Sequence, residues 1–114
     1  SSDWLLADTD TAAASRNTFA PIHRLGEPIK ITDATMSPTI VEGDYVMVDR
    51  AQTELNDGLF AMVVGDKAKV YRVQVLPTGG YGLISDNPLF PPVNIDGQED
   101  VNVIGKVTAI VHPL

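Results

Sequence analysis

An all-β fold, mainly antiparallel, is what the sequence predicts, and two observations predict it. The middle of the chain breaks into short segments rich in β-branched and aromatic residues, separated by Gly, Asn, Asp and Pro, the pattern of strands and their reversals. The last such segment alternates, with Val101, Val103, Val107, Ala109 and Val111 expected on one face and Asn102, Lys106 and Thr108 on the other. With 114 residues, 44% of them hydrophobic and 20% charged, the chain suits one globular core.

In chain order, residues 1–18 read as the end of an upstream domain and a linker, and residues 19–114 as the β domain. Ser1 or Ser2 can cap a helical turn with Asp3 near its start, so Trp4-Leu5-Leu6 is either the last turn of something longer or an apolar turn that packs on the domain. Thr9 to Asn17 suits an exposed linker, although Ala12 to Ala14 also favour a short helix. Phe19 to Ile31 forms an extended arm interrupted by Pro21 and Pro28, with Ile29 and Ile31 on one side of a short strand.

The stretch T-D-A-T-M-S-P-T-I-V-E-G-D-Y-V-M-V-D, Thr32 to Asp49, forms one mechanical unit. It has a turn carrying Thr35 and Met36, a stop at Pro38, a Gly43-Asp44 turn and a strand from Tyr45. Such a unit holds one small hydroxyl residue beside a sheet, the layout of a nucleophile loop. Further strands are expected at Gly58 to Val64, Lys69 to Leu76 and Tyr81 to Ser85, giving a meander whose reversals fall at Asn56-Asp57-Gly58 and Pro77-Thr78-Gly79-Gly80. Gly105 interrupts the final row and marks a candidate bulge.

Composition narrows the function. The net charge is −7, with 8 basic against 15 acidic residues, so DNA or an anionic membrane would meet an opposing field. The absence of cysteine removes disulfides and thiol catalysis and is compatible with a cytoplasmic setting, and no apolar run reaches the ~20 residues of a membrane span. With only His23 and His112 as histidines, no metal site and no cofactor are expected. Asp44, Asp49 and Asp86 invite a reading as acid–base carboxylates, but turn capping and strand-end solvation account for them more simply.

Met36-x-Pro38-Thr39 followed by Gly43-Asp44 and an apolar strand resembles the LexA/UmuD family of self-cleaving repressors and mutagenesis proteins, a domain of the peptidase S24 type. Three further segments extend the likeness over most of Thr32 to Val111. Lys69-Val70-Tyr71-Arg72-Val73 is similar to the strand that carries the family's general-base lysine. Ser85-Asp86-Asn87-Pro88 through Pro92 looks like the family segment that follows it, and Val103-Ile104-Gly105-Lys106-Val107 looks like its closing strand. The ordered set favours the repressor branch over signal peptidases, which share the first segment. Trp4-Leu5-Leu6 also resembles the segment that closes the helix-turn-helix domain of phage repressors.

The resemblance implies a LexA C-terminal-domain-like β fold and a Ser–Lys catalytic pair, yet Thr35 stands at the nucleophile position and Tyr71 at the base position. A tyrosine with an ordinary pKa near ~10 is a protonated phenol at pH 7 and a poor base. Lys69 lies two residues away on the same strand face, which displaces its Cα by roughly 6.6 Å. The arm contains Ala12-Ala13-Ala14-Ser15 and Leu25-Gly26 but no Ala-Gly pair of the kind the family cleaves.

The resulting expectation is a non-enzymatic domain of a bacteriophage-type or LexA-like transcriptional repressor that forms a homodimer or higher homo-oligomer through Val103, Val107, Ala109 and Val111. It would reach DNA only through an upstream helix-turn-helix domain, and an antirepressor protein is a candidate partner. Two other expectations stand beside it: an autoprotease using Thr35, and a module that binds a partner peptide in the former catalytic cleft.

Overall fold

The computed structural model describes residues 25–114. The expectations for Trp4-Leu5-Leu6, the linker, the boundary at residue 18, the first part of the arm and His23 lie outside those residues. The strands are β1 (Glu27–Lys30), β2 (Tyr45–Asp49), β3 (Gly58–Val64), β4 (Lys67–Val75), β5 (Tyr81–Ile84), β6 (Val93–Ile95) and β7 (Asn102–Val111). They form one sheet in the order β1-β2-β7-β3-β4-β5-β6, with every neighbouring pair antiparallel. The antiparallel all-β class is therefore as expected, and β2 and β3 begin and end where their residue types say.

The meander is corrected in one place. β1 and β2 are neighbours and β3 to β6 follow one another across the sheet, but β7 is inserted between β2 and β3, which consequently run in the same direction. Asn56-Asp57-Gly58 therefore does not fold one strand onto its neighbour. Turn chemistry reports only local reversals, whereas the partners of β7 are set by contacts distant in sequence. The β2–β3 connection is fixed by other means: the Asp57 carboxylate accepts the Val75 N–H at 2.9 Å, and Gln98 accepts the Leu55 N–H at 2.8 Å while donating to the Thr53 carbonyl at 2.6 Å. Pro77 to Gly80 does turn β4 into β5, with the Leu76 N–H bonded to the Gly80 carbonyl at 2.8 Å. β6 carries no clear signal, being three residues long and preceded by Pro91-Pro92.

The single apolar row expected on β7 is also corrected. Ile104 is an extra residue between the partners of Ala61 and Met62, and Thr108 is extra between the partners of Val48 and Met47. Cross-strand partners share a face. Val103 therefore lies with Met62, and Ala109 and Val111 lie with Met47 and Tyr45, whereas Val107 lies with Val48 on the other side. The bulge expected at Gly105 is found beside it. A Cβ at Gly105 would stand 2.3 Å from the Asp49 carbonyl oxygen, so the backbones of β7 and β2 approach this closely only at glycine.

Alternation along β3 separates two cores. Ala61 belongs to a cluster with Ile31, Met36, Ile40, Val46, Val48 and Val70, and Phe60 and Met62 belong to one with Leu55, Val73 and Leu83. Fully burying each large apolar side chain contributes roughly 1.5–3 kcal/mol. The first cluster is where the Thr35 loop is anchored.

Candidate functional site

Backbone pairing at the base of the Thr35 loop defines it. The Ile31 N–H donates to the Asp44 carbonyl at 2.8 Å and the Gly43 N–H donates to the Ile31 carbonyl at 2.9 Å. Gly43 has φ +97°, which L side chains rarely adopt, and the Asp44 carboxylate caps the Val41 N–H at 2.9 Å. Inside the loop the Ile40 N–H reaches the Met36 carbonyl at 2.9 Å, one helical turn that points both side chains into the first core. Pro38 is exposed in that turn, and Thr35 is buried, with 6% of its surface accessible.

The segment after β5 clasps the loop from outside. Asn87 donates its backbone N–H to the Thr35 carbonyl at 3.0 Å and its side-chain amide to the Ala34 carbonyl at 2.9 Å. Asp86 accepts two hydrogen bonds from the Arg72 guanidinium, at 2.9 and 2.7 Å, and a third from the Thr39 hydroxyl at 2.6 Å. The Arg72 guanidinium, and secondarily Thr39, hold the Asp86 carboxyl below its ordinary range against the upward push of burial, and Asp86 in turn raises Arg72. Ser85 is buried beneath the clasp and Pro88 is exposed beyond it. Met36, Arg72 and Asn87 are thus brought together, while Gly43 and Asp44 close the base of the loop.

The Thr35 hydroxyl is not left open. It donates to Asp33 Oδ1 at 2.7 Å, the Thr35 N–H donates to the same oxygen at 3.1 Å, and Lys69 Nζ donates to Asp33 Oδ2 at 3.0 Å. Partial burial pushes the Asp33 carboxyl up, but the Thr35 hydroxyl, Lys69 and the Thr35 N–H together bring it below its ordinary value. Sequence reasoning missed Asp33. Its signal was present, because an Asp two residues before a hydroxyl residue is the pattern of an Asx turn.

Lys69 therefore comes to the loop, but through Asp33. Tyr71, opposite Phe60 in the ladder, is half-buried and packs against the second core. Among the described residues no hydrogen bond joins Tyr71 to Thr35. Asp44, Asp49 and Asp86 are not grouped: Asp44 pairs with His112 besides capping Val41, and Asp49 binds Gln52 at 2.8 Å and the Ala51 N–H at 2.9 Å. The Val41 N–H and then His112 lower the Asp44 carboxyl, and Gln52 and then Ala51 lower that of Asp49. Among the described residues no three His, Cys, Asp or Glu side chains are placed to hold a metal, and no helix is long and apolar enough to cross a membrane.

Val103 and Val107 pack on the chain's own two cores, and Ala109 and Val111 are half-buried. β3 pairs with β7 over Asn102–Lys106 and β2 pairs with it over Lys106–Val111. One edge of residues 107–111 is consequently without a strand partner among the described residues.

A comparison with curated proteins finds no match. The family model described as Peptidase S24-like matches residues 22–108, a span that contains the Thr35 loop, its clasp and all seven strands apart from the end of β7. The chain belongs to the Peptidase S24-like family.

Proposed function

We propose that this chain is a non-cleaving self-association domain of a phage-type or LexA-like transcriptional repressor. The observation that carries the reading is the state of the Thr35 hydroxyl: it donates its hydrogen bond to a carboxylate of lowered pKa that also pairs with Lys69. A hydroxyl nucleophile needs a neighbouring base with an available lone pair, and neither a lysine engaged as an ammonium nor a phenol supplies one. The scaffold of the loop is retained while its chemistry is blocked, which suits a domain kept for its shape. Dimerisation would let two upstream reading heads share one docking event, raising operator affinity by effective concentration. The edge of β7 at residues 107–111, without a strand partner among the described residues, and the apolar Ala109 and Val111 beside it offer a surface for a second copy. An antirepressor would act on such a domain in the cytoplasm.

Two measurements test this. Mass spectrometry after alkaline incubation should find the chain intact, and light scattering at micromolar concentrations should find a dimer. A monomer mass at the highest concentration would overturn the self-association. A second reading, an autoprotease using Thr35 with Lys69, is favoured by the single carboxylate that joins the two. Its mark would be cleavage at one bond that Thr35→Ala abolishes.

A further inference from the structure

We propose that Asp33 is an inhibitory clasp, a single carboxylate that holds the Thr35 hydroxyl on one oxygen and the Lys69 amine on the other, and that its removal lets Lys69 serve Thr35 as a base. The proposal rests on the non-cleaving reading above and names the residue that enforces it. Oδ1 takes both the hydroxyl and the N–H of Thr35, at 2.7 and 3.1 Å, and Oδ2 takes Lys69 Nζ at 3.0 Å. Nucleophile and amine are therefore joined through one carboxylate. The lysine side chain has a flexible four-carbon stem, so an amine relieved of its carboxylate can swing onto the hydroxyl. The loop has anchors besides Asp33. Met36 and Ile40 anchor it from within, and Asn87 holds the Ala34 and Thr35 carbonyls from outside.

Both hydrogen bonds across the clasp oppose attack. A hydroxyl that donates to an ionised carboxylate points its hydrogen away from any other base, and an ammonium that donates to the same carboxylate has no lone pair to offer. At pH about 10 roughly a third of an ordinary lysine is neutral. With the carboxylate gone, a neutral amine is free to turn to the hydroxyl.

The test uses the full 114-residue chain and a small fluorophosphonate as probe, read by mass spectrometry at pH about 10. In the expected step an oxygen–phosphorus bond forms from the residue-35 hydroxyl, the phosphorus–fluorine bond breaks, fluoride leaves and the hydroxyl proton passes to the neutral Lys69 amine. To avoid the crowding methyl of threonine, all arms except one carry Thr35→Ser. Adding Asp33→Asn should raise the labelling rate at residue 35 by roughly a hundredfold, the lower end of what a positioned base contributes. Adding Lys69→Met to that pair should return the rate to its starting value.

Equal labelling with and without Asp33, or labelling that survives Lys69→Met, overturns the proposal. Asp33→Ala serves as a second variant. If both Asp33 variants lose a cooperative melt, Asp33 is a structural requirement and the proposal is likewise overturned. The remaining arm is the unaltered chain: labelling of its Thr35 would overturn the non-cleaving reading instead, so the two failures are told apart.

Discussion

Asp86 ties the loop to the sheet, because its carboxylate is bonded to Arg72 and Thr39 at once while its backbone N–H contacts the Met36 sulfur at 3.4 Å. Only 13% of its side chain is accessible but 45% of that of Arg72 is, so solvent screens the pair and it is worth about 1 kcal/mol. Asp86→Asn should lower stability by about that amount at pH 7, read from a urea unfolding curve. The pH dependence has a definite sign. Asp86 and Asp33 both have folded-state pKa values below the ordinary carboxylate value, so the stability they add is fully present above about pH 3.9, the unfolded value, and is lost as pH falls through the folded ones. Thermal melts from pH 5 downward should show a falling Tm, with a shallower fall in Asp86→Asn. An unchanged slope in that variant would show that Asp86 contributes no linkage. At this scale the sequence was half legible. Met36, Arg72, Asn87 and Asp44 are found in the loop, its clasp and its base, but the bridge from Thr35 through Asp33 to Lys69 was hidden, because it depends on a lysine reaching a loop far away in sequence.

Strand β7 shows what an element gains from irregularity. Its two extra residues, Ile104 and Thr108, turn Val107 to the first core while Val103, Ala109 and Val111 face the other side, so one strand serves both clusters. Strict alternation could not show this, since a bulge leaves the residue types of a strand unchanged and alters only which face each one meets. The one legible trace was Gly105. Its Cβ position is blocked by the Asp49 carbonyl at 2.3 Å and by Val48 Cγ1 at 2.9 Å, both from the neighbouring β2. Gly105→Ala should therefore force β2 and β7 apart and cost at least about 3 kcal/mol, the upper end of overpacking. A denaturation midpoint close to that of the unaltered chain would mean that the two backbones separate freely. The contrast is Gly43, where a Cβ would meet nothing within 4 Å and the demand is only for positive φ.

Over the whole molecule, strand identities other than that of β6 were readable and strand order was not. β3 to β5 follow from residue type and turns, whereas placing β7 between β2 and β3 requires pairing information that only the folded sheet supplies. Net charge, by contrast, needs no fold to be read, and the fold sharpens its consequence. The chain carries 8 basic against 15 acidic residues. Of the six described basic residues, four are engaged: Lys69 faces Asp33, Arg72 faces Asp86, Arg50 faces Glu27 at 3.2 Å, and Lys106 bonds Asn56 at 2.8 Å while lying over the Phe60 ring. Nucleic-acid binding draws its affinity from several cations aligned along phosphates, each releasing a counterion, and cations already paired with carboxylates release fewer. These residues are also spread over different strands and loops and do not line one groove. This chain alone should therefore not bind duplex DNA. Fluorescence anisotropy with a labelled duplex at about 50 mM salt, where phosphate contacts are strong, should stay flat through tens of micromolar protein, and saturable binding in the micromolar range would assign this domain a DNA contact of its own.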